Sequence, residues 1–139
     1  MYILPILEYG SIIWNPYFSK DVEVFEKLQR KVTKLPLSLR TSTYERLQAL
    51  NLAPLAMRRK RADAIESFEV LQGFYNLPNL STIFERSLTR SLRGHELKLR
   101  KSRHNKLNKK YFLTNRIVDH WNQLPQDVVT ASNIPLFKH

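Results

Sequence analysis

Residues 19–36 read SKDVEVFEKLQRKVTKLP. Val22, Phe25, Leu28, Val32 and Leu35 recur at separations of three and four, the period that returns side chains to one face of a helix. Ser19 is a candidate N-cap, and Asp21 and Glu23 stand in the first turn, where carboxylates meet unpaired amides and the positive end of the helix dipole. Pro36 ends the segment, because its ring bars the preceding residue from helical geometry and it lacks an N–H. Lys27, Arg30, Lys31 and Lys34 occupy the opposite side, which is either a solvated face or a binding face. An amphipathic helix buries its stripe only against neighbours, so the rest of the chain must supply them.

Upstream, Ile3, Ile6 or Leu7, Gly10 and Trp14 keep helical spacing until Asn15-Pro16 interrupts. The opening MYILPILEYGSIIW contains Glu8 and Pro5, has no basic leader and is too short to span a bilayer. It reads as a buried segment of a longer protein, with no membrane partner. Downstream, Ser42-Thr43-Tyr44-Glu45 has the form of a capping box and predicts a short helix through Leu47 and Leu50. A longer helix starts near Pro54, carries Leu55, Ala62, Ile65, Phe68 or Glu69, and Gln72 on its stripe, and ends near Gly73. Beyond Asn76 the pattern thins, and Leu97 and Leu99 alternate with charged residues as in a short strand or extended segment. A last long helix is expected from about Lys109 to Asn122, with Leu113, Ile117, Val118 and Trp121 inward. Val128, Val129, Ile134, Leu136 and Phe137 then form a closing packing segment, and both Trp14 and Trp121 read as core residues. The expected fold is mainly α, a small helical bundle with a basic extended or irregular segment before the last long helix. Its regions are 1–75, 76–108 and 109–139, together one domain.

The charge is concentrated. The chain of 139 residues carries a net charge of +11, and Arg86–Lys110 alone holds ten Lys or Arg against one acid, Glu96, or +9 of that total. Such an excess repels itself, and a polyanion relieves it by exchanging condensed counterions for Lys and Arg. The candidate phosphate contacts are Arg93, Lys98, Arg100, Lys101, Arg103, Lys106, Lys109 and Lys110. Arg58, Arg59, Lys60 and Arg61 form a second group, readable as a nucleic-acid contact, a nuclear localisation signal or a solvated face. The expected partners are RNA, DNA or an RNA–DNA hybrid.

Catalytic chemistry is poorly supplied. The four Asp (21, 63, 119 and 127) are scattered and no Asp-Asp pair exists, so the carboxylate cluster that holds magnesium around a phosphate is not expected. No Cys is present, which removes disulfides, thiolate catalysis and sulfur-ligated zinc. His95, His104, His120 and His139 show no metal-ligand spacing, and Asp119-His120 point about 100° apart on a helix and form no dyad. Neither a cofactor nor a catalytic residue is assigned to this chain.

Several motifs agree in order with a known family. Tyr2 to Gly10 (YILPILEYG) is followed by Trp14-Asn15-Pro16, and then by Phe25-Glu26-Lys27-Leu28-Gln29-Arg30-Lys31-Val32-Thr33-Lys34. Tyr44-Glu45-Arg46-Leu47, Leu55 with Arg58-Arg59, and Arg93-Gly94-His95-Glu96-Leu97-Lys98-Leu99 come next. Asn115-Arg116-Ile117-Val118, Trp121-Asn122-Gln123-Leu124-Pro125, Val128-Val129, Ile134 and Phe137-Lys138 close the series. This set resembles the C-terminal, post-palm part of reverse transcriptases from non-LTR, LINE-type retrotransposons, the jockey-like elements above all. The resemblance implies a thumb-like helical region that grips primer and template, an RNA-directed DNA polymerase whose catalytic aspartates and Mg2+ lie in a palm upstream, and that palm domain as a partner. This chain alone is then not an enzyme, and its place is the nucleus or cytoplasm rather than outside the cell. The alternative is a non-catalytic helical protein-interaction module or a non-functional retrotransposon remnant. Leu35-Pro36-Leu37, where the family often has Gly, and Pro135 in the last segment depart from the family pattern.

Overall fold

The computed structural model describes residues 3–35, 42–76, 83–87, 94–103 and 111–138. The chain is mainly helical, as its periodicity predicts: α1 Ile3–Glu8, α2 Ser19–Thr33, α3 Thr43–Ala49, α4 Leu55–Leu71, α5 Leu113–Arg116, α6 Val118–Trp121, α7 Gln126–Val129 and α8 Ile134–Phe137. Among the described residues no strand forms. Where a short strand or extended segment is expected around Leu97 and Leu99, a single antiparallel bridge joins Leu99 to Arg86. The chain divides into two compact units, Met1–Arg61 and Ala62–His139, and the boundary falls inside α4.

In the first unit α1 stops well short of Trp14. Gly10 adopts φ +66°, a conformation L side chains avoid, and the chain leaves the helix through turns; a Cβ at Gly10 would also lie 3.0 Å from the Trp14 indole nitrogen. Trp14 is 42% exposed, which corrects its expected place in the core. Its ring is covered on one side by Phe25, at 5.3 Å between centroids, and by the Arg59 guanidinium at 4.5 Å.

On α2, Phe18 rather than Ser19 is the N-cap and makes no side-chain cap bond. The buried residues of α2 are Gln29 and Thr33, while Leu28 and Leu35 are exposed, so the inward face is rotated from the apolar stripe. Polar bonds hold that rotation. Gln29 accepts from Arg58 Nη2 at 2.9 Å and donates to the Ala53 carbonyl at 3.4 Å, and the Glu26 carboxylate accepts the Ala56 amide at 2.9 Å in the first turn of α4. A carboxylate there meets both an orphan donor and the helix dipole. The capping box of α3 forms as predicted, with Ser42 and Glu45 each bonding the other's backbone amide. The apolar core of this unit is small: Leu7 and Leu55, with Phe25 and Leu52 against them.

The second unit holds the larger core. Phe68, Phe84, Leu99, Ile117, Val118, Trp121, Val129 and Phe137 are all buried, and the Phe68 and Phe137 rings stack at 4.3 Å. The expected single helix to Asn122 is instead α5 and α6, broken at Ile117. Ile117 and Val118, on either side of the break, are both buried, at 2% and 3% exposure. The closing segment is two short helices, of which Val129 and Phe137 are the buried anchors and Leu136 is exposed. A bidentate ion pair joins α4 to α5: Arg116 Nη2 and Nε lie 2.6 and 2.9 Å from the two oxygens of Asp63.

Candidate nucleic-acid interface

The basic segment from His95 to Ser102 is held by side chains of the helices that follow it. Gln126 accepts the Glu96 amide at 3.2 Å, and the Trp121 indole donates to the Leu97 carbonyl at 2.8 Å. Asn122 grips Leu99 twice, accepting its amide and donating to its carbonyl, both at 2.9 Å. Asn115 accepts the Ser102 amide at 3.0 Å. A primary amide has the same donor and acceptor pair as a peptide group, so Asn122 stands where a neighbouring strand would. The buried His95 donates from Nε2 to the Trp121 carbonyl at 2.9 Å, which fixes its tautomer because a carbonyl only accepts.

The other edge pairs with Glu85–Ser87. Ser87 donates to the Lys98 carbonyl at 2.9 Å and Arg100 to the Glu85 carbonyl at 2.7 Å. Leu97 packs against the core and Leu99 enters it. Arg86, Arg100, Lys101 and Arg103 are exposed, and Lys98 is half-buried beside Gly94. Gly94 has φ +106° and stands at the start of the described run. The segment is thus a short ribbon bonded along both edges, with Arg100, Lys101 and Arg103 outward.

Tertiary contacts supply acids that the local sequence lacks. Glu85 lies 3.7 Å from Arg100 and accepts from Ser102 Oγ, and Asp119 lies 2.5 Å from Lys101. The charge excess is therefore partly compensated, which corrects the expectation of an uncompensated run. Both pairs are solvent-exposed, so each contributes about 0–1 kcal/mol and yields readily to a phosphate. No ion pair is seen at Arg86 or Arg103 among the described residues. Arg93, Lys106, Lys109 and Lys110 lie outside the described residues.

The run Arg58–Arg61 in the first unit splits by role. Arg59 is 3% exposed, donating to the Leu7 carbonyl at 2.5 Å and to Asn15 at 3.3 Å beneath the Trp14 and Phe25 rings. That guanidinium closes the C-terminal end of α1 and cannot reach an external phosphate, which corrects its assignment as a contact. Arg58 is half-buried and is committed to Glu8 and Gln29. Lys60 and Arg61 are exposed.

Sequence reasoning singled out Trp121-Asn122 for its order in a motif but missed that these side chains carry the basic segment's backbone. It also missed Arg86 and the tethers Asn115 and Gln126. An Asn or Gln has no local pattern that marks its partner 13 to 30 positions away. Tyr75 marks a second polar cluster, 2.8 Å from Glu66 and 3.0 Å from Glu69. The bond to Glu66, followed by burial and by Glu69, holds its phenol well above the ordinary tyrosine value.

Among the described residues no helix is long and apolar enough to cross a membrane. Compared with known proteins, the chain matches no family model, no curated protein and no solved structure.

Proposed function

We propose that this chain is a nucleic-acid-binding piece of a LINE-type RNA-directed DNA polymerase, the part that follows the palm, and that it grips primer and template through phosphates. The observation that carries the reading is the tethered ribbon: Arg100, Lys101 and Arg103 stand exposed on or beside a backbone held by Trp121, Asn122, Asn115 and Gln126, and Arg86 stands exposed on the stretch bridged to Leu99. A backbone held in place before binding loses little conformational freedom on binding, and exposed Lys and Arg read charge rather than base sequence. The ordered motifs through Trp121-Asn122-Gln123-Leu124-Pro125 support the family, and RNA, DNA or their hybrid follows as partner. On the resemblance, the Mg2+ of a complete polymerase belongs to the palm upstream, while in this chain Asp63 is engaged by Arg116 and Asp119 by Lys101. Binding, not catalysis, is the role proposed for this chain.

The test is anisotropy of a labelled RNA–DNA hybrid titrated with the full chain across a salt series. Four neutralised phosphates give a slope of log affinity against log salt of roughly −3.6, a loss of about two orders of magnitude between ~50 and ~200 mM. Arg86→Glu with Arg103→Glu should flatten that slope by about half. A slope near zero, or a double variant that binds as the parent does, overturns the proposal.

A further inference from the structure

The outward side of α2 mixes apolar and cationic groups. Val24 and Leu28, one turn apart, are 54% and 42% exposed. They floor a shallow groove of about 510 Å3 edged by Lys27, Lys31 and Lys34, with Glu23 at one end. Glu23 is already paired with Lys27 at 3.3 Å, and no ion pair is seen at Lys31 or Lys34 among the described residues. These residues follow one another at helical spacing, so the groove runs along the helix rather than across it.

The pattern selects among partners. A phosphate backbone would meet the lysines and leave Val24 and Leu28 facing water. A bilayer surface would need a broad apolar face with aromatic anchors, whereas the floor here is two aliphatic side chains with lysines along one side. A second helix carrying apolar residues at i and i+4 and carboxylates on its flanks satisfies both halves: its apolar side chains cover Val24 and Leu28, and its acids meet Lys27, Lys31 and Lys34. We propose that the outward face of α2 docks an acidic amphipathic helix of a partner protein. This surface belongs to the first unit and does not depend on the ribbon of the second.

The probe is a fluorescein-labelled, acetylated peptide of about 18 residues, long enough to hold a helix, with Leu at i, i+4, i+7 and i+11 and Glu on the flanks. Its control is a scrambled peptide of the same composition. Anisotropy with the full chain at ~150 mM salt should show the ordered peptide binding at least about tenfold more tightly than the scrambled one. Val24→Ser with Leu28→Ser, and separately Lys31→Glu with Lys34→Glu, should each weaken the ordered peptide about tenfold, while Arg100→Glu with Lys101→Glu leaves it unchanged. All six positions are at the surface, and circular dichroism checks that the variants keep their helix. Equal binding of the two peptides overturns the proposal, as does an unaffected Val24/Leu28 variant. The same α2 variants losing binding to an oligonucleotide or to phosphatidylserine vesicles, with peptide binding intact, would assign the face to those partners instead.

Discussion

Asp63 and Arg116 offer the sharpest test of how the second unit is held. The Asp63 side chain is 5% exposed and that of Arg116 15%, and two short bonds of 2.6 and 2.9 Å connect them. Arg116 also donates to the Tyr111 carbonyl at 3.3 Å, so it joins α4, α5 and the chain entering α5. Asp63→Ala deletes both carboxylate acceptors and leaves a guanidinium buried without its counter-charge. Breaking one side of such a pair costs about 3–5 kcal/mol. The two tryptophans make the effect readable by unit, since Trp14 lies in the first and Trp121 in the second. In a Trp14→Phe background, fluorescence reports Trp121 alone. With a urea dependence of about 1 kcal/mol/M for so small a unit, the midpoint should fall by roughly 3–5 M, or the unit should fail to fold. Asp63→Leu with Arg116→Met replaces the pair by apolar groups, and such exchanges range from neutral to stabilising by about 1–4 kcal/mol. The double variant should therefore recover most of the loss. An Asp63→Ala cost under ~1 kcal/mol, the range of an exposed pair, would refute the reasoning. So would a double variant as damaged as the single one, because the loss would then belong to packing rather than to an abandoned charge.

Asn122→Ala leaves the amide and carbonyl of buried Leu99 without partners, and at about 1–3 kcal/mol for each abandoned group it should destabilise the second unit by about 2–6 kcal/mol; amide exchange at Leu99 should accelerate in step, and unchanged exchange would count against the clamp. Gly94→Ala forces a side chain into φ +106°, where its Cβ also meets the Lys98 terminus at 3.3 Å, and should cost about 1–3 kcal/mol in thermal unfolding. Ser42→Ala should cost about 0.5–2 kcal/mol through the lost capping box of α3, read by urea unfolding followed at Trp14. Tyr75 gives a pH prediction. Its folded-state pKa is raised, so its contribution is fully present below the ordinary phenol value near 10 and is lost as pH rises beyond it. The parent should therefore lose stability above pH ~10 more steeply than Tyr75→Phe, and parallel pH profiles would contradict the bonds to Glu66 and Glu69.

Local sequence determined what local physics controls. The period of three and four set α2 and α4, Ser42 and Glu45 capped α3, and Gly73, at φ +74°, marks the end of α4. The mainly α class and the clustering of charge were likewise legible, since composition and spacing need no knowledge of the fold. Which face a helix buries was not legible. Val22 and Leu28 share an apolar stripe on α2, yet Gln29 is buried, because Arg58 and Ala53 present polar groups that only the folded unit brings near. The same holds for the cations. Arg59 and Arg100 look alike in sequence, but one lies under two aromatic rings and the other stands on a ribbon edge beside Glu85. Charge is a property of the residue. Its availability to a partner depends on desolvation and on opposite charges brought close by the fold, and for this chain the tertiary structure alone decided both.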